Sequence, residues 1–151
     1  MRGAVLAAVA GGLLLLPTAG AEVKAPLAVQ ITTVRATEDG TCDPRIEGMR
    51  LRLRKLAGYR GYQVLGDERR LVSWRETEEF DLGEGRSLLL LPKGMQDHRI
   101  MMQVRLLEGR RRLVDTNVRL VNGGTMVFGV GRDARGGDGA VLILLRARQD
   151  D

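Results

Sequence analysis

The sequence contains one cysteine and one histidine, Cys42 and His98, and these are the first candidates for chemistry. Cys42 lies in a turn just before a predicted helix, where the helix dipole would lower the pKa of its thiol. A cysteine nucleophile also needs a base within hydrogen-bond reach, and nothing in the sequence brings His98 to Cys42. One cysteine and one histidine also exclude an intrachain disulfide and the zinc patterns built on Cys/His pairs. We expect Cys42 to be a half-buried or unpaired thiol and His98 to be a solvated turn residue. The alternative role for Cys42 is an intermolecular disulfide.

Four carboxylates stand close together within segment 76–81. Paired carboxylates can act as acid and base or bind calcium. A calcium loop needs a glycine at its bend, however, and this segment has none. A charged edge strand, which discourages pairing with another chain, explains the group better. We therefore predict no catalytic residue, no metal site and no cofactor site. The four residues are Glu76, Glu78, Glu79 and Asp81.

The segment Gly131–Gly139 (GRDARGGDG) is rich in glycine, as phosphate-binding loops are. Such a loop ends in Gly-Lys-Ser/Thr and opens a helix, so that amides and the lysine converge on phosphate. This segment has no Lys, Ser or Thr and precedes a predicted strand. It predicts a hairpin loop that contacts a partner, and no nucleotide site.

Basic residues are the remaining binding candidates, because 24 Lys+Arg outnumber 19 Asp+Glu. Clusters of arginine attract acidic polymers. Nucleic-acid binding also uses stacking aromatics, which make up 3% of this sequence and are not interleaved with the arginines, so no nucleic acid is expected. The candidate partner contacts are Arg50, Arg54, Arg110, Arg111, Arg112, Arg132 and Arg135.

One amphipathic helix is predicted near the N-terminus of the mature chain. Asp43-Pro44 provides an N-cap acceptor followed by a proline at the first helical position, and Gly58 is a typical end. Between these points an apolar residue recurs every three or four positions, which predicts one buried face. Those residues are Ile46, Met49, Leu53 and Leu56.

Apolar runs alternate with turn residues over the rest of the chain, which predicts about eight strands. Leu27–Thr37 shifts its apolar phase, which indicates a bulge. Gly66-Asp67 predicts a turn between two short strands, and Asn122-Gly123-Gly124 predicts a hairpin. Leu88–Leu91 is apolar on both faces and should be buried. No helix separates the strands, so segment 27–151 is predicted to be a single antiparallel β-sandwich or small barrel.

Residues 1–21 (MRGAVLAAVAGGLLLLPTAGA) have the three parts of a signal peptide: Arg2, an apolar stretch of 13 residues, and the small residues Ala19-Gly20-Ala21. The apolar stretch is too short for a transmembrane helix, which needs about 20 residues. We expect cleavage after Ala21, a short linker over 22–26, and no transmembrane segment in the mature protein. The expected location is periplasmic or extracellular.

Val118–Gly131 (VRLVNGGTMVFGVG) resembles the strand–turn–strand segment of outer-membrane secretins. The matching positions are Asn122, Gly123, Thr125, Val127 and Gly129, and Val130 stands where secretins have a second glycine. Leu142–Ala147 faintly resembles the apolar strand that follows in that family. The family's signature rich in Pro, Leu, Gly and Asp is absent, and the chain is too short to form the pore. The resemblance implies an accessory of the envelope or secretion machinery rather than a channel.

These observations predict an exported, non-enzymatic structural or interaction module of a bacterial-type cell envelope. Its expected partner is another envelope or secreted protein, bound through strand edges, the Gly131–Gly139 loop or the arginine-bearing helix face. The alternative is a secreted protein that binds an acidic polymer or carbohydrate. The arginine clusters favour the alternative, and the scarcity of aromatics speaks against it.

Overall fold

The computed structural model describes residues 25–132 and 139–150, which form two antiparallel sheets of four strands each. Sheet A has the strand order β2-β1-β8-β7, and sheet B has the order β3-β4-β5-β6. The predicted β-sandwich is confirmed, and its described strands do not close into a barrel. The strands are β1 (Leu27–Thr37), β2 (Gly61–Val72), β3 (Glu78–Gly83), β4 (Arg86–Gln96), β5 (Arg99–Glu108), β6 (Arg111–Val121), β7 (Thr125–Arg132) and β8 (Ala140–Arg148).

The main core lies between the two sheets. In β5, apolar residues at alternate positions point inward and are buried, as the period of two requires. They meet the inward residues of β1 and β8 across the sandwich. Burial of each such side chain contributes roughly 1.5–3 kcal/mol. The inward residues of β5 are Ile100, Met102, Val104 and Leu106.

A second core lies on the other side of sheet A, beneath the predicted helix. This helix begins with a 3₁₀ turn at Pro44–Met49 and continues as α1 (Arg50–Ala57). Ile46 and Leu53 are buried beneath it, whereas Leu56, predicted on the buried face, is 62% exposed. The helix covers too little of the sheet to bury its last turn.

The phase shift in β1 lies where its apolar side chains change from the core between the sheets to the core beneath the helix. Leu27, Val29 and Ile31 face sheet B, whereas Val34 and Ala36 belong to the core beneath the helix. β1 itself pairs with β8 without interruption. The register change opposite Thr33/Val34 is a bulge in the neighbouring strand β2.

The turn predicted at Gly66-Asp67 is wrong, because β2 runs through it as one strand. Gly66 pairs with Thr33 and Asp67 with Thr32, while Leu65 is the extra residue of the bulge. The other three edge strands, β3, β6 and β7, also carry one extra residue opposite their inner neighbours. A bulge bends and twists an edge strand. Every free edge of the sandwich is therefore irregular.

The hairpin predicted at Asn122-Gly123-Gly124 is also wrong. β6 belongs to sheet B and β7 to sheet A, so this turn carries the chain between the sheets. The side chain of Asn122 accepts a hydrogen bond from the Gln149 amide at 2.8 Å and donates one to the Gln149 carbonyl at 3.0 Å. The asparagine therefore holds the end of β8.

Leu88–Leu91 is only half buried, which corrects a further prediction. Leu88 and Leu90 lie in the core, whereas Leu89 and Leu91 remain partly accessible on the outer face of sheet B. The run that is buried on both faces is Val141–Leu145 of β8. Among the helices of residues 25–132 and 139–150, the one on the outer side of sheet A buries that second face.

Gly61 is packed too tightly to carry a side chain. A Cβ at this position would lie 2.8 Å from the Thr41 carbonyl oxygen and would also strike the Asp39 carboxylate. We expect Gly61→Ala to lower the free energy of unfolding by about 1–3 kcal/mol. Gly66→Ala on the same strand is the control, because its Cβ would meet nothing within 4 Å. Equal urea midpoints for the two variants would contradict this packing.

Asp43 caps the 3₁₀ turn and also binds Arg45. Hydrogen bonds from the Arg45 side chain and then its amide hold the pKa of Asp43 at about 2, below its ordinary 3.8. A lowered pKa stabilises the fold above pH 3.8, and that contribution disappears as pH falls toward 2. We expect Asp43→Asn, which can still cap, to be less stable than the wild type at neutral pH. The difference in urea midpoint should shrink as pH falls from 3.8 through 2 and vanish below pH 2. A difference independent of pH would contradict the ionic role.

Candidate functional site

The outer face of sheet A beyond the helix carries a row of polar side chains across three strands. Gln30 of β1 lies opposite Arg69 of β2 and opposite Arg146 of β8. Because neighbouring strands are about 4.8 Å apart, the three side chains form one continuous row. In the next row, Ala28 lies between Leu71 and Arg148.

Two adjoining grooves follow this row. One, of about 380 Å³, has Ala28 and Leu71 among its lining residues, and the small alanine side chain leaves room between its neighbours. The other, of about 230 Å³, runs toward the 3₁₀ turn and reaches Arg45. Gln30, Arg69 and Arg146 line both grooves, so the two form one trough. We call this surface the basic face, defined by Arg45, Arg69, Arg146, Arg148 and Gln30.

Two of the four arginines on the basic face are already paired. Arg45 binds Asp43 at 2.8 Å, and Arg148 binds Asp150 at 2.8 Å. Within the described part of the chain, Arg69 and Arg146 form no ion pair.

Asp67, the acidic residue in the neighbouring row of sheet A, is hydrogen-bonded within the fold. Asp67 accepts hydrogen bonds from Gln30 at 2.9 Å and from Thr32 at 3.0 Å. Gln30 is thereby held in place between two arginines. A guanidinium binds a carboxylate or phosphate through two parallel hydrogen bonds. The basic face can therefore hold two anionic groups.

The arginines predicted from the sequence do not form one site. Arg50 binds Glu47 at 3.4 Å and the Gly40 carbonyl at 3.2 Å, and Arg54 is exposed in the last turn of α1. Arg112 binds Asp115 at 3.1 Å on sheet B. It follows the exposed Arg110 of the β5–β6 turn and the exposed Arg111, the first residue of β6.

Two of the predicted partner contacts, Arg132 and Arg135, lie at or beyond the end of the described range 25–132. Arg132 ends β7, and its side chain is not described. Arg135 and most of the Gly131–Gly139 loop lie outside the described residues.

The thiol of Cys42 is not activated. Burial and then a hydrogen bond involving Glu47 raise its pKa, contrary to the effect expected from a helix dipole. Cys42 forms an isolated bridge with Tyr62 on sheet A, whereas His98 is exposed in the turn between β4 and β5 of sheet B. The structure does not bring Cys42 and His98 together.

One carboxylate of segment 76–81, that of Glu78, helps to join the two sheets. Arg70 of β2 binds Glu78 of β3 at 3.2 Å and donates to the Glu79 carbonyl at 2.8 Å. Its guanidinium also stacks 4.3 Å from the centre of the Phe80 ring. Its hydrogen bond and charge interaction with Glu68, followed by its hydrogen bond with Glu78, raise the pKa of Arg70. β3 is an edge strand, as predicted. Glu78 contributes its carboxylate to the contact with Arg70, and Glu79 contributes its backbone carbonyl.

No protein-family model matches the sequence, and no curated protein or solved structure is significantly similar to it. Over residues 25–132 and 139–150, no helix is long and apolar enough to cross a membrane.

The raised pKa of Cys42 predicts slow alkylation. In the native protein, the iodoacetamide rate should reach half its maximum above pH 9.0, the ordinary pKa of a thiol. The urea-unfolded chain is the control and should react faster at neutral pH. A native thiol that reacts fully below pH 9.0 would be an activated one and would overturn this assignment.

Proposed function

We propose that this protein is an exported, non-enzymatic interaction module that binds an acidic segment of another envelope or secreted protein through its basic face. The observation that carries the proposal is the pair Arg69 and Arg146, held on either side of Gln30 and without a carboxylate partner among the described residues. Two such cations favour a ligand with at least two negative groups.

A protein is favoured over a polysaccharide because the basic face has an apolar border. Leu71 is 65% exposed and lies in the same row as Arg148, across Ala28. Arginine next to apolar area is typical of protein interfaces, in which arginine is enriched. A uniformly acidic polymer would offer no apolar group to pack against Leu71. The proposed ligand is therefore a segment that alternates acidic and apolar side chains.

The faces of the sandwich are better suited to binding than its edges. Addition of a partner strand needs a regular edge of free amides and carbonyls. Each of the edge strands β2, β3, β6 and β7 carries an extra residue that interrupts this pattern. The strand-edge route expected from the sequence is therefore the weaker one.

The support for a role in the cell envelope comes from the sequence. Residues 1–21 have the form of a signal peptide, which supports export. The resemblance of Val118–Gly131 to secretins supports an accessory role in envelope or secretion machinery. We propose that the basic face serves this role.

The proposal predicts that two arginines account for most of the binding. A fluorescent decapeptide of alternating Glu and Val should bind the wild type, and Arg69→Gln combined with Arg146→Gln should weaken binding at least about tenfold, or 1.4 kcal/mol. Arg110→Gln combined with Arg111→Gln is the matched control, because it removes the same charge from exposed positions at the start of β6. The control should change the Kd less than about twofold, measured by fluorescence anisotropy at physiological salt.

Three outcomes would overturn the proposal. Equal weakening by the two double variants would show that only net charge matters. Failure of the wild type to bind the peptide would remove the proposed ligand class. Binding of a heparin oligosaccharide in preference to the peptide, with a steep salt dependence, would establish the acidic-polymer alternative instead.

A further inference from the structure

Along the β2/β3 edge, the two sheets are in contact at one end and separated by a cleft at the other. Near Glu78, Arg70 joins the sheets. Toward the β2 bulge and the β3–β4 turn, a cleft of about 390 Å³ separates them. Residues of both sheets line the cleft, and five of them are apolar. These apolar residues are Val64, Leu65, Leu82, Val141 and Ile143.

The inner part of the cleft belongs to the main core. Val141 and Ile143 of β8 are buried and face sheet B, and the buried Thr33 adds one hydroxyl beside them. Leu65, the extra residue of the β2 bulge, is 44% exposed and also lines the cleft. The cleft therefore leads from an exposed leucine into the core, like a pocket for a small apolar molecule.

One cation lies in this cleft. Arg86, the first residue of β4, is only 6% exposed. Its Nε atom is buried and has no hydrogen-bond partner among the described residues. The closest carboxylate is that of Glu84, 3.9 Å from an Arg86 terminal nitrogen, which is too far for a hydrogen bond. A buried charge without such a partner is costly, so an anion would stabilise this site.

We propose that the cleft binds a small amphiphilic monocarboxylate. Its carboxylate would accept hydrogen bonds from Arg86, and its apolar part would lie against Val141 and Ile143. A neutral ligand would leave the buried charge of Arg86 with only the distant Glu84 carboxylate. A ligand with several negative charges would be repelled by Glu84, which also lines the cleft. None of these residues belongs to the basic face, so this site is independent of the function proposed above.

Octanoate is a suitable probe, with 1-octanol as its neutral counterpart. We expect the purified protein to bind octanoate at least tenfold more tightly than 1-octanol in isothermal titration calorimetry. In methyl NMR spectra, octanoate should shift the Val141 and Ile143 signals. Leu51, which is exposed on α1 and does not line the cleft, should not shift.

Arg86→Met tests the role of the charge, because it keeps an unbranched side chain of similar reach. We expect it to weaken octanoate binding at least tenfold and to leave 1-octanol binding unchanged or stronger. Arg86→Lys should retain part of the preference for octanoate. Arg105→Met, on the outer face of the neighbouring strand β5, is the matched control and should bind both probes like the wild type.

Several results would overturn the proposal. Equal affinity of the wild type for octanoate and 1-octanol would contradict it, as would binding of neither probe. Weakening of octanoate binding by Arg105→Met as large as that by Arg86→Met would contradict the role of Arg86. Shifts confined to the surface near Arg69 and Arg146 would place the carboxylate on the basic face instead. If Arg86→Met fails to fold, the comparison of the two probes on the wild type and Arg86→Lys still decides.

Discussion

The length of one helix determines how much of sheet A is available for binding. At 1.5 Å per residue, the eight residues of α1 extend about 12 Å, whereas the eleven residues of β1 extend about 36 Å. The helix and its 3₁₀ turn can bury only one end of the sheet. There Val34 and Leu142 form a second core, and beyond it β1 and β8 present Gln30 and Arg146. The basic face is the part of the sheet that the helix does not reach.

The two halves of the β2/β3 edge show how differently an arginine can be used. Arg70 meets two carboxylates, a carbonyl and an aromatic ring, so its charge is balanced within the fold and joins the sheets. Arg86 is more deeply buried, and its Nε has no hydrogen-bond acceptor among the described residues. Its ion pair with Glu84 is long, at 3.9 Å. Arg70 therefore stabilises the fold, whereas burial of the Arg86 charge destabilises it. This contrast makes the cleft beside Arg86 a ligand site.

Local patterns in the sequence predicted the sandwich and the helix, because they depend on near neighbours. Asp43 and Gly58 begin and end the helix as expected. Prediction failed at Gly66-Asp67, because these two residues pair with β1 directly after the bulge at Leu65 and make no turn. It also missed the basic face, because Arg69 and Arg146 meet only through Gln30. Polar residues at the outward positions of otherwise buried strands were the available signal.

The bulged edges also bear on how the protein behaves at high concentration. A long, regular edge strand is a template onto which another copy can add, and repeated addition produces fibrils. The extra residue in each of β2, β3, β6 and β7 interrupts that template on all four edges of the sandwich. The chain can thus have a β-rich fold, with the apolar run Val141–Leu145 in the middle of a sheet, and still resist polymerisation.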